Sequence, residues 1–164
     1  MNVIETRDVD AVWKIVTGRD VFPRVCDDNW IHKSLDELKA IVTGLVENPL
    51  NHTVLVQDDE GVPIGCFVGI AKGGGNLEEH TFMSAACRGW DAIIAGKRAM
   101  KLLFTLPDVE KLTSYCPACL PESYWFARRC GWHNAGFAEW RWLKNGIEHL
   151  VTLVEVNRED FACQ

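Results

Sequence analysis

No stretch of this chain approaches the roughly 20 consecutive apolar residues that a membrane-spanning helix requires. Positive charge is also in short supply: 17 Lys and Arg stand against 23 Asp and Glu, a formal charge of −6. Phosphate backbones are held chiefly by Lys and Arg, so this balance argues against a general nucleic-acid binder. The opening residues, M-N-V-I-E-T-R-D, lack the basic and apolar regions of a secretory signal peptide, and a cytoplasmic protein is expected. Low-complexity stretches and internal repeats are missing too. The seven cysteines are odd in number and accompany no secretion signal, so they read as buried free thiols and not as a disulfide framework.

What is present suits one globular domain. The 164 residues are 48% hydrophobic and 24% charged, enough for a single sizeable core. Seven tryptophans are many for this length, and Trp125, Trp132, Trp140 and Trp142 crowd the C-terminal third. They read as core packing or as an aromatic surface or groove.

The spacing of apolar and turn residues orders the elements. A short strand at 2–5 precedes a helix capped by Asp8, and 18–33, with Pro23, reads as a loop holding one helical turn. Ser34-Leu35-Asp36-Glu37 is a capping box that starts a helix, and Asn48-Pro49 ends it. Strands at 52–57 and 62–71 form a hairpin, and Gly73-Gly74-Gly75 is its next turn; no helix follows these glycines, so they are not a phosphate loop. The central stretch, 76–104, runs as a strand through Arg88-Gly89 into a helix with Ala92, Ile93, Ala95, Ala99, Met100 and Leu103 on one face. A strand feeding a helix N-terminus is a ready anion site, because the first-turn N–H groups are free. A strand at 110–116, a short helix at 122–130 closed by Gly131, and two long strands at 132–143 and 147–156 follow, joined by the hairpin pair Asn145-Gly146.

Cys116, Cys119, Cys130 and His133 have zinc-like spacing, but a helix across 122–130 spans roughly 13 Å and would hold Cys119 and Cys130 at its opposite ends, too far apart to share one metal. No metal is expected. Nothing in the spacing pairs a thiol with a base for nucleophilic catalysis.

This element order, with Arg88-Gly89 before one helix and Gly131-Trp132 ending another, resembles the GCN5-related N-acetyltransferase (GNAT) superfamily over 2–156. Small GNAT-like proteins of bacteriophages look similar. The resemblance implies a mixed α/β fold: one domain over 1–156 with a mostly antiparallel sheet of about seven strands, helices on both faces, and a tail at 157–164. It implies acyl transfer, usually from acetyl-CoA, to an amine of a small molecule or of a protein lysine or N-terminus. The cofactor's pantetheine would lie along 82–87, against Ala85, Ala86 and Cys87. Its pyrophosphate would rest on Arg88, Gly89, Trp90, Ala92 and Ile93, with Lys97, Arg98 and Lys101 either helping or forming a solvated face. Asp91 and Ile93 stand where the family's turn carries small residues, and Asp91 also suits a helix N-cap. Ala127 holds the position of the family's acidic tyrosine, so Tyr124 is the candidate proton donor. Glu79 and then His80 are the candidate bases, on opposite faces of their strand. A monomer or homodimer is expected. The same departures leave open a non-catalytic GNAT-like fold that binds a host or virion protein.

Overall fold

The computed structural model describes residues 1–162. Its elements, in chain order, are β1 (Asn2–Glu5), α1 (Val9–Val16), α2 (Phe22–Val25), α3 (Asp28–Ile31), α4 (Leu35–Glu47), β2 (His52–Gln57), β3 (Pro63–Gly73), β4 (Asn76–Met83), α5 (Trp90–Leu103), β5 (Lys111–Pro117), α6 (Pro121–Cys130), β6 (His133–Phe137), β7 (Trp142–Lys144), β8 (Ile147–His149), β9 (Val151–Asn157) and α7 (Arg158–Ala162). Among the described residues, seven strands form one sheet in the order β1-β2-β3-β4-β5-β9-β6, and β7 and β8 pair separately. Only the β4–β5 pair is parallel within the large sheet. No helix among the described residues is long and apolar enough to cross a membrane.

Both faces of the sheet carry helices. On one, Val12, Ile15 and Val16 of α1 and Val42 and Val46 of α4 pack on Leu55, Cys66 and Val68. Local chemistry fixes both helix starts. Asp8 accepts the Ala11 N–H, while Glu37 N–H donates to Ser34 Oγ at 3.3 Å and Ser34 N–H to Glu37 Oε2 at 2.8 Å. On the other face α5 and α6 cover Val54, Val56, Phe67, Leu112 and Val154. Gly96 lets these two helices meet: a Cβ there would stand 2.8 Å from both Cys130 Sγ and Phe126 Cζ.

Four readings of the chain are corrected. The 18–33 segment holds two short helices, α2 and α3, because Pro23 suits a first helical turn and Asp27 caps α3 by accepting the Trp30 N–H. The strand expected through Cys87 ends at Met83, since the Ser84 N–H turns back to Ile64 O and the Cys87 N–H closes on Ser84 O. The long strands at 132–143 and 147–156 are broken. Gly136, at φ 117°, makes a bulge in β6, and the chain then leaves the sheet for the β7–β8 hairpin. Asn145 (φ 52°) and Gly146 (φ 73°) form its turn, as their sequence expects.

The segment after 156 is held against the sheet as far as residue 162. Arg158 Nε donates to Val109 O at 2.9 Å, and Phe161 meets Phe104 at 5.5 Å. Ordered structure therefore continues through α7 to Ala162, and the last two positions of the expected tail, Cys163 and Gln164, lie outside the described residues.

Candidate active site

β4 and β5 are neighbours only briefly. They pair through Asn76–Lys111, Leu77–Leu112 and Glu78–Thr113, and then part. Each is already paired along its other edge, β4 with β3 through Met83 and β5 with β9 through Pro117, so neither unravels when they separate. A hydrogen bond from Ser114 Oγ to Glu79 O, at 2.7 Å, marks where they split. Beyond it lies a cleft of about 450 Å³ that draws residues from both faces of the sheet: Trp30 of α3 and Phe82 on one, Ala92 of α5 and Ala127 of α6 on the other.

At one side stands the N-terminus of α5. Gly89 (φ 60°) occupies the N-cap, and no side chain caps the helix, so its first-turn N–H groups are open. Cys87, Arg88, Gly89 and Ala92 line the cleft. The other residues expected at the cofactor do not. Ala85 and Ala86 are exposed in the turn, Trp90 is 68% exposed, and Ile93 is buried in the core. Asp20 reaches over from the loop after α1: its carboxylate takes the Ala85 N–H, and its carbonyl accepts from Arg88 Nη2 at 3.4 Å. Asp91 is not the N-cap; it is exposed at the second helical position. Arg98 donates to Met1 O at 2.8 Å, which ties it to the N-terminus. Arg129 instead flanks the mouth, stacked over Trp90 and Trp125 at 5.9 and 5.0 Å.

The candidate bases behave differently from each other. Glu79 shares the α5-side face of β4 with Leu77 and Met83 of the core, and only 4% of it is exposed. Burial pushes its carboxyl up to about 7, against the lowering effect of the Thr81 hydroxyl, which donates to Oε1 and Oε2 at 2.9 and 3.1 Å. His80 faces the other way with Phe82. Its Nε2 lies 2.9 Å from Glu78 Oε1, and Lys72 Nζ lies 2.9 Å from Glu78 Oε2. The His80 bond, then the Lys72 bond, hold the Glu78 carboxyl well below its ordinary value despite partial burial. Both Glu79 and His80 line the cleft, whereas Tyr124 packs against the core and does not.

The thiols and His133 do not converge. Cys116 and Cys130 are buried, with burial pushing both well above a thiol's usual range, and His133 lies 3.3 Å from Glu155. Among the described residues no group of three or more His, Cys, Asp or Glu is placed to hold a metal ion.

Several cleft residues carry no motif. Tyr115 of β5 lines the cleft and makes no hydrogen bond among the described residues, unlike Thr81, Ser114 and Ser123. Trp140 comes from the chain leading into the β7–β8 hairpin and Trp142 opens β7, and the α2–α3 segment anchors the hairpin. Asp28 accepts the N–H groups of Asn145 and Gly146 at 2.9 and 2.8 Å, and Lys144 Nζ donates to the carbonyls of Pro23 and Cys26. Trp142 Nε1 is buried with no hydrogen-bond partner among the described residues.

A scan against models of protein families finds no match, and a search among curated proteins finds none. Solved structures do match. The spermidine N-acetyltransferase from Vibrio cholerae, crystallised with CoA and spermine, superposes with a TM-score of 0.80 at 16% identity, over 98% of this chain and 97% of that one. A chimera of the Vibrio cholerae enzyme SpeG and hSSAT gives 0.80 at 15% identity, over 99% and 98%. The chain has the GNAT fold. Within that GNAT fold the cleft sits at the parting of β4 and β5, and Ala127 of α6 is one of its walls.

Proposed function

We propose that this protein is an acyl-CoA-dependent N-acyltransferase, moving acetyl from acetyl-CoA directly to an amine of a small molecule or of a protein lysine or N-terminus. The cleft between β4 and β5 carries the reading: an uncapped helix N-terminus opens on it, and a buried carboxylate lines it. The CoA complex of the Vibrio cholerae enzyme, which shares the fold, supports acetyl-CoA as co-substrate. The residues fit such a group. The first-turn N–H groups of α5, with Arg88 beside them, suit a diphosphate, and Gly89 allows close backbone approach. The β4 edge beyond Glu78 has no strand beside it on the β5 side and offers its backbone to an extended amide chain. Bound there, acetyl-CoA supplies an acyl group already activated as a thioester.

The chain's own groups then manage two protons. An alkylamine with a pKa near 10 is protonated at neutral pH and must lose that proton before it can attack. Glu79 takes it: with a carboxyl at about 7 it is a far stronger base than an ordinary carboxylate, and the Thr81 hydroxyl orients it. The departing sulfur needs a proton in return. Tyr115, the phenol that lines the cleft, supplies it in place of a tyrosine on α6. His80, tied to Glu78, guides the amine's approach.

Release of free thiol from acetyl-CoA in the presence of an amine panel tests the activity, with calorimetry for acetyl-CoA itself. Glu79→Gln should lower kcat about 100-fold with the Kd of acetyl-CoA little changed. No binding of acetyl-CoA at millimolar concentration would refute the reading and leave the fold as an interaction module.

A further inference from the structure

The wall of the cleft away from α5 is aromatic. Tyr115 meets Trp140 edge-on at 5.1 Å, Trp140 meets Trp142 at 6.2 Å, and Trp30 of α3 joins them in the lining. Trp140 is 42% exposed, so its ring is presented and not consumed by the core.

The carboxylates of the same cleft are all engaged. Asp27 accepts from the Trp30 N–H and from Asn29 Nδ2, and Glu122 pairs with Arg24 at 2.8 Å. Glu78 is held between Lys72 and His80, and Glu79 is reserved for the transferred proton. A polyamine carries several ammonium groups along one chain. Each one taken out of water needs a carboxylate of its own. Among the described residues Asp27 is the one lining carboxylate, Glu79 aside, with no cationic partner, and it caps α3; a polyamine would require several such acids, and this cleft offers rings instead.

We infer that the acceptor is a monoamine whose single amino group is carried on an aromatic or extended apolar body, the rings of Tyr115, Trp140 and Trp142 receiving that body. The direction of the amino group rests on the N-acyltransferase reading; the preference of the cleft does not. Offset and edge-to-face contacts on these rings hold the body, and its single ammonium gives up its proton to Glu79.

Calorimetry on the full-length protein without acyl donor separates the two substrate classes. 2-Phenylethylamine should bind at least about tenfold more tightly than spermidine, and raising the salt to about 0.5 M should leave its affinity nearly unchanged. Trp140→Leu, a replacement at a half-exposed site, should weaken 2-phenylethylamine about fivefold or more while the melting temperature holds. Spermidine binding as tightly or more tightly, failure of both amines to bind at millimolar concentration, or an unchanged affinity in the variant would overturn the inference. Binding of 2-phenylethylamine without its acetylation in the presence of acetyl-CoA would sink the acyltransferase reading and leave the preference of the cleft standing.

Discussion

Replacing Glu79 by Gln should make the protein more stable at pH 8 while disabling it. Folded Glu79 keeps its proton up to about pH 7, whereas an ordinary glutamate releases it near 4.5. Between those values the folded state binds more protons than the unfolded one. Its contribution is therefore most favourable below about pH 4.5 and is lost progressively as the pH rises through about 7. At about 1.36 kcal/mol per pH unit, the interval amounts to roughly 3 kcal/mol. Glutamine keeps an oxygen for the Thr81 hydroxyl and carries no charge to bury. The variant should therefore match the wild type near pH 4.5 and exceed it by up to roughly 3 kcal/mol at pH 8, about 6–12 °C in Tm for a chain of this size. Melting both proteins across pH 4.5 to 8 is the assay, with thiol release measured alongside. A variant less stable than wild type at pH 8, or a difference independent of pH, would refute the claim that burial of this carboxylate costs stability. Gained stability with lost turnover is the pattern of a group retained for function.

Other outcomes follow from the same geometry. Asp91→Asn removes a negative charge from the first turn of α5 and should tighten CoA about two- to fivefold at low salt, with the gain shrinking at high salt; calorimetry at both ionic strengths checks it. Gly96→Ala forces a methyl against Cys130 and Phe126 and should cost about 1–3 kcal/mol in denaturant unfolding. Asp28→Ala deprives the Asn145 and Gly146 N–H groups of their acceptor, and hydrogen exchange at these two amides should accelerate well before that of β9.

The parts of the fold written in local chemistry were readable from the chain. Ser34 and Glu37 specify the start of α4, and Asn145-Gly146 specifies the β7–β8 turn, because each motif satisfies its own backbone groups. The Glu79 and Arg88 regions were placed by the step from strand to helix. What was hidden depends on distant partners. Strand alternation extends β4 to Cys87, but Asp20, 65 residues away, captures the Ala85 N–H. The alternation of Trp140 and Trp142 reads as one strand with Trp132. Gly136 breaks that strand, and Asp28 with Lys144 draws the rest onto the α2–α3 segment. Tyr115 sits in an unremarkable strand and becomes a cleft residue only because β4 leaves its side.

Among the described residues the β7–β8 hairpin shares no strand pairing with the seven-stranded sheet, and a two-stranded ribbon is marginal by itself. It is held by side chains of the neighbouring segment: one carboxylate on its turn and one ammonium sent back the other way. Its residues can thus change with little consequence for the large sheet, which folds around other contacts. The hairpin's share of the aromatic wall, Trp140 and Trp142, is in effect an exchangeable panel on a fixed frame, and on the N-acyltransferase reading grafting a different hairpin between Phe137 and Val151 should change the amine accepted.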